Sequence, residues 1–202
     1  LEKVTELDKK IRVILVTDGD KVAQQAVETI GASLGLRCIS ASAGNPTPIS
    51  GKKIVELLKT VPYDPVLVMF DDKGRCEKAE GEQALEYVAN HPDIEVLGAV
   101  AVASNTTGID GVSADACIDC QGHVIDLSVD KKGEIKKQKD CACNHPVITG
   151  DTVDVLNDVE IPVIIGVGDI GKMDKHDDLS RGAPITRRAI EEILKRSDII
   201  HG

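Results

Sequence analysis

Short apolar runs alternate with amphipathic stretches along most of the chain. The first run, Ile11 to Thr17, is rich in β-branched residues and too short for a helix, so it predicts a strand ending at Asp18-Gly19-Asp20. Lys21 to Leu34 then places Val22, Ala23, Ala26, Val27 and Ile30 at the spacing of one helix face, with Gly35 where a terminating glycine belongs. The alternation repeats. Leu36 to Ser42 predicts a strand, Ala43 to Ile49 a turn-rich loop, and Ser50 caps a helix running to about Thr60. Val66 to Phe70 is an unbroken apolar run of the kind a parallel sheet buries on both faces, and it ends at Asp71-Asp72-Lys73-Gly74. Gly81 to His91 predicts a helix stopped by Pro92, and Ile94 to Ala103 a fourth strand.

The rhythm breaks between Ala103 and Gly150. Cys117-Ile-Asp-Cys120, the turn Gln121-Gly122 and Val124 to Val129 predict an antiparallel hairpin, and Lys131-Lys132-Gly133 a second turn. The main pattern returns with a short helix near Asp151–Val159 and a strand over Pro162 to Ile165. A polar loop, Gly166 to Ala183, leads to a last helix with Pro184 in its first turn and an apolar face of Ile185, Ala189, Ile190, Ile193 and Leu194. Strands alternating with helices predict an α/β fold: a mostly parallel sheet with helices on both faces, a Rossmann-like three-layer arrangement, carrying an inserted antiparallel hairpin region at about 112–148. Residues 1–10 read as a polar leader and 11–202 as one domain. The chain begins at Leu1, which leaves room for an upstream segment.

Composition narrows the function classes. Lys and Arg number 24 against 34 Asp and Glu, a net charge of −10, which disfavours nucleic acid because phosphate neutralisation supplies most of the affinity for it. Phe70, Tyr63 and Tyr87 are the only aromatics of their kinds and Trp is absent, so base-stacking platforms are lacking too. The longest apolar stretch, Val96 to Ala103, contains Gly98 and has the length of a buried strand rather than the ~20 residues of a membrane span. With no secretory signal visible, the expected setting is intracellular and the six cysteines read as thiols or metal ligands.

Ligands of open α/β sheets bind beyond the carboxyl ends of the strands, and three predicted strands end there in acid: Asp18 and Asp20, Asp71 and Asp72, and Asp169. Gathered carboxylates repel unless a hard cation compensates, so calcium or magnesium is the expected ligand there; the alternative is that these acids cap helix starts. The strand–Asp18-Gly-Asp20–helix segment is also similar to part of the TOPRIM fold of primases and topoisomerases, which would make a magnesium-dependent phosphoryl-transfer enzyme. That fold needs an acid ending an earlier strand, and residues 1–10 supply none. Gly166-Val-Gly-Asp-Ile-Gly171-Lys172 meets both the dinucleotide fingerprint and most of a phosphate loop. Each requires a helix to begin at once, whereas Met173 and a polar run follow, so a glycine turn leaving a buried strand is the favoured reading. Cys117, Cys120, Cys141 and Cys143 have the thiol count of a zinc site, but in a flat strand Cys117 and Cys120 would point to opposite faces. Cys38 reads as core filler, and Cys76 lies beside Arg75 and Lys78.

Several stretches together resemble the soluble form of the stage V sporulation protein AE family: Val16 to Asp20, Ser42 to Thr47, Tyr63 to Asp72, Ala84 to Asp93, Gly168 to Met173 and Gly182 to Thr186. They cover most of residues 11–200 in order. The resemblance implies an accessory role in sporulation beside the proteins that move calcium dipicolinate into the developing spore. Its implied partners are those proteins or a small-molecule ligand, and its implied location the forespore or spore cytoplasm, peripheral to the inner membrane. It brings no catalytic residues, and residues 117–145, where the cysteines gather, depart from the family pattern.

Overall fold

A computed structural model describes residues 10–72, 79–105, 110–136 and 145–197. Nine strands and four α-helices occur among them: β1 Ile11–Val16, α1 Lys21–Ser33, β2 Arg37–Cys38, α2 Gly51–Leu58, β3 Val66–Met69, α3 Glu80–Ala89, β4 Ile94–Val102, β5 Val112–Ser113, β6 Ala116–Ile118, β7 Val124–Ile125, β8 Val147–Ile148, β9 Ile164–Val167 and α4 Pro184–Arg196. Seven strands form one sheet in the order β2-β3-β1-β4-β9-β6-β7, parallel throughout except for β7, which runs antiparallel to β6. β5 and β8 pair separately and antiparallel.

Both faces of the sheet are covered, which explains the unbroken apolar runs. Val13 and Leu15 of β1, with Val66, Val68 and Phe70 at β3, pack against Ile54 and Leu58 of α2 and Leu85 and Val88 of α3. The alternate residues Ile14, Val16, Leu67 and Met69 pack against Ala26 and Ile30 of α1 and Ile190 and Ile193 of α4. So α1 and α4 lie on one face and α2 and α3 on the other, the three layers expected from the alternation.

Differences from the sequence expectations are local. The strand expected over Leu36 to Ser42 is only Arg37–Cys38, because Ser40–Ser42 turns into a 3-10 segment. There Ser42 Oγ donates to the Ile39 carbonyl and accepts the Met69 N–H, binding the turn to β3. The helix expected near Asp151–Val159 is a 3-10 segment at Asp154–Asp158. β9 runs on to Val167 because Gly166 fits where a Cβ would stand 2.5 Å from Ile148 and 2.7 Å from the Cys117 sulfur. The Cys117 hairpin forms as expected, but β6 also joins β9, extending the main sheet.

Candidate functional site: an acidic crevice at the strand ends

The strand order decides which acids meet. β1 sits between β3 and β4, and its chain leaves to α1 on one face while β3 leads to α3 on the other. Such a divergence opens a crevice at the carboxyl edge. It has a volume of about 250 Å³, and its acids are Asp18, Asp20, Asp71, Asp151 and Asp169. Thr17, Asn45, Ser104, Asn105 and Lys131 share the lining. A larger hollow of about 440 Å³ between α2 and α3, beside Tyr87, is lined by one lysine, Lys52, and one glutamate, Glu80.

The floor is built by backbone-to-side-chain bonds past the last ladder rungs. Thr17 Oγ1 accepts the Val102 N–H at 2.9 Å, joining β1 to β4. The Asp71 N–H donates to Thr47 Oγ1 at 2.9 Å, and the Gly19 N–H donates to Asp71 Oδ2 at 3.3 Å, drawing the β1 and β3 ends together. Close approach here needs glycine: a Cβ on Gly81, at the start of α3, would stand 2.3 Å from the Asp71 carbonyl oxygen. Gly81→Ala should therefore cost about 1–3 kcal/mol through overpacking. A thermal melt should show a fall of about 2–4 °C for each kcal/mol lost.

The sequence-derived acids separate into three roles. Asp20 caps α1, its Oδ1 accepting the Val22 and Ala23 N–H groups at 2.8 and 2.9 Å. Its other oxygen receives the Lys172 ammonium at 2.7 Å, and the same ammonium donates to Asp169 Oδ1 at 2.8 Å. Burial would raise the Asp20 carboxyl, but Lys172 and the two amides outweigh it and hold it below the usual range. Burial also opposes the charge on Lys172, yet Asp169 and Asp20 raise its pKa above the ordinary lysine value.

Asp18 and Asp71 form the open half. Asp18 is 9% exposed, and its only hydrogen bond among the described residues is from the Asp20 N–H to Oδ1, at 3.2 Å. Burial, followed by repulsion from Asp20 and Asp71, pushes its pKa up to about 8. Burial pushes Asp71 up to about 7 against the Gly19 N–H, with Asp20 and Asp151 adding to the rise. Asp151, which the sequence pattern does not single out, takes the Ser104 hydroxyl as a donor. Only its position after Gly150, beyond β8, hints at it.

Asp72 is not part of the crevice lining. Its carboxylate caps α3, accepting the Gly81 and Glu82 N–H groups at 2.9 and 2.7 Å, while its own N–H donates to Thr152 Oγ1. Successive residues leaving a strand point to opposite sides, so Asp71 and Asp72 part company. Among the described residues no three His, Cys, Asp or Glu side chains stand in the geometry of a formed metal site. The crevice acids share a cavity without closing on one point.

The glycine-rich loop matches neither a dinucleotide nor a phosphate site. No α-helix begins directly after Lys172; Met173–Lys175 is a 3-10 segment and α4 starts only at Pro184, so amides are not aimed as either motif requires. Of the four cysteines considered for zinc, Cys141 and Cys143 lie outside the described residues, as does Cys76. Cys117 is fully buried, and burial pushes its thiol up to about 12. Burial also raises Cys120, which stands at the hairpin turn. Cys38 is half-buried in β2.

Fold and crevice together define a three-layer α/β protein with an acidic strand-end cavity. No helix among the described residues is long and apolar enough to cross a membrane. The family model described as stage V sporulation protein AE1 (SpoVAE) matches residues 12–197 of the 202. The chain belongs to that family and is a sporulation protein. No curated protein and no solved structure matches it.

Proposed function

We propose that this protein is a non-enzymatic accessory of sporulation whose strand-end crevice takes up a divalent cation, calcium or magnesium, largely through the ion's water shell. Bound in this way, it supports calcium dipicolinate uptake or spore germination, directly or through a partner of the transport system, in the forespore or spore and peripheral to the inner membrane. The observation that carries the reading is that Asp18 and Asp71, just past the ends of adjacent strands, line one cavity, with one oxygen of Asp18 left without a donor among the described residues. A hydrated cation suits carboxylates that line a cavity without converging, since magnesium in particular keeps several waters.

Metal and protons compete for the same oxygens. Because Asp18 and Asp71 bind protons up to about 8 and 7, calcium or magnesium uptake should release protons and tighten as pH rises through that window. Calorimetry in two buffers of different ionisation heat measures the release. Absence of heat with both ions would sink the cation reading, and magnesium-dependent release of phosphate from a nucleotide would favour the phosphoryl-transfer alternative. At the level of the cell, deleting the gene should leave vegetative growth normal and change dipicolinate content, germination or resistance of spores. A growth defect with unchanged spores would count against the sporulation role.

A further inference from the structure

Lys131 lines the crevice, and a second cation of the chain is ion-paired to two of the lining acids. Lys172 lies at the end of the glycine-rich loop, where it bridges Asp20 and Asp169 at 2.7 and 2.8 Å. Its position is fixed from behind. Gly171 takes a left-handed turn at φ 71°, its N–H donates to the buried Asp177 carboxylate at 2.9 Å, and the flanking Ile170 and Met173 are buried. The second Asp18 oxygen accepts no hydrogen bond from a described residue, although the side chain is 9% exposed and lines the same cavity. The crevice thus has a filled half and an unfilled half, and the ammonium in the first acts electrostatically on Asp18 in the second.

We infer that Lys172 is the built-in counter-ion of the crevice and sets the threshold for cation entry, so that an incoming divalent ion competes with the ammonium for the acidic lining. This deepens the cation reading above and rests on it. An ammonium tethered by a rigid loop cannot diffuse away; it repels the incoming charge and keeps Asp20 and Asp169 from turning to it. Weak ions and low concentrations are thereby excluded. The GxGxxGK segment serves this placement: Gly166 and Gly168 allow close packing, Gly171 allows the turn, and the lysine meets carboxylates rather than phosphate.

The test compares wild type with Lys172→Met and Lys172→Arg by calorimetric titration with calcium chloride and magnesium chloride, alongside thermal melts without metal. Removing one nearby positive charge from a partly screened cavity should tighten divalent binding about tenfold, while arginine should leave it near the wild-type value. Lys172→Gln, which keeps a donor for Asp20, replaces methionine if that variant does not fold. Wild-type binding with equal or weaker binding in the methionine and glutamine variants would overturn the inference alone, reducing Lys172 to a loop anchor. Equal tightening in the arginine variant would also overturn it. Silence in wild type and every variant would overturn the cation reading, and this inference with it.

Discussion

Asp177→Ala should be the most destabilising single change among the described polar residues. The side chain is fully buried and ties together two ends of a loop. One oxygen accepts the Ile185 and Thr186 N–H groups at 2.7 and 3.0 Å, and the other accepts the Gly171 N–H at 2.9 Å and the Thr186 hydroxyl at 2.5 Å. Ala183 stands at the cap position of α4 and offers no side-chain acceptor, so Asp177 caps that helix from six residues upstream. A negative charge there also meets the positive end of the helix. Four non-glycine residues of the segment, Met173, Asp174, Lys175 and Ala183, adopt left-handed backbone, each at a cost of roughly 1 kcal/mol that surrounding contacts must offset. Alanine would leave three amides and a hydroxyl without their acceptor, so a loss of about 3–5 kcal/mol is expected. In a chain of this size the melting temperature should fall by roughly 10 °C, and amides 185–190 should exchange faster than those of β1 and β4. Asp177→Asn, which keeps one carbonyl oxygen, should lose about half as much. A melting temperature within about 2 °C of wild type for the alanine variant, roughly 1 kcal/mol or less, would show that Met173 and Ile170 anchor the loop by packing alone.

What is legible in the sequence follows from local periodicity, and what is hidden follows from distant pairing. β1, β3 and β4 are readable because both sheet faces are buried, which writes continuous apolar runs into the chain. α1 and α4 are readable from one-sided apolar spacing. The strand order is set by contacts between residues far apart, such as Val13 with Val66 and Ile11 with Ile94, and no local pattern encodes it. Whether Asp18 and Asp71 can meet depends on that order. β2 is shorter than its apolar run suggests because only two of its residues join the sheet, at an edge where Ser42 offers the backbone another partner. Adjacency groups Asp72 with Asp71, although period-two alternation already argues for their separation. Lys172 and Asp177 lie in a loop with no periodicity, and their importance comes from bonds reaching 152 residues back to Asp20 and eight or nine forward to α4.

Asp18→Asn should raise the metal-free melting temperature at alkaline pH while weakening cation uptake. The sign follows from proton binding. An unfolded Asp titrates near 3.9, whereas Asp18 in the folded chain holds its proton up to about 8 and Asp71 up to about 7. The folded state therefore binds more protons between those limits, and each step up in pH across the window removes stability. These two groups stabilise least above about pH 8 and most below about pH 4, opposite to the usual paired carboxylate. Asp20, whose carboxyl lies low, works in the ordinary sense and protects the fold until strongly acidic conditions. A tenfold change in proton affinity corresponds to about 1.36 kcal/mol, so the full effect at Asp18 is several kcal/mol, moderated by local relaxation. Asparagine keeps an oxygen for the Asp20 N–H and cannot ionise, removing the cost. We expect a gain of about 1–3 kcal/mol near pH 8.5, roughly 3–10 °C in melting temperature, and little difference near pH 4.5. In calcium or magnesium titrations the same variant should bind at least tenfold more weakly, because the unfilled half of the crevice has lost its charge. Melts and titrations at both pH values check the pair of effects. A variant that melts lower at both would mark Asp18 as a turn-forming acceptor whose ionisation is irrelevant, and the case for a cation in the crevice would lose its principal ligand.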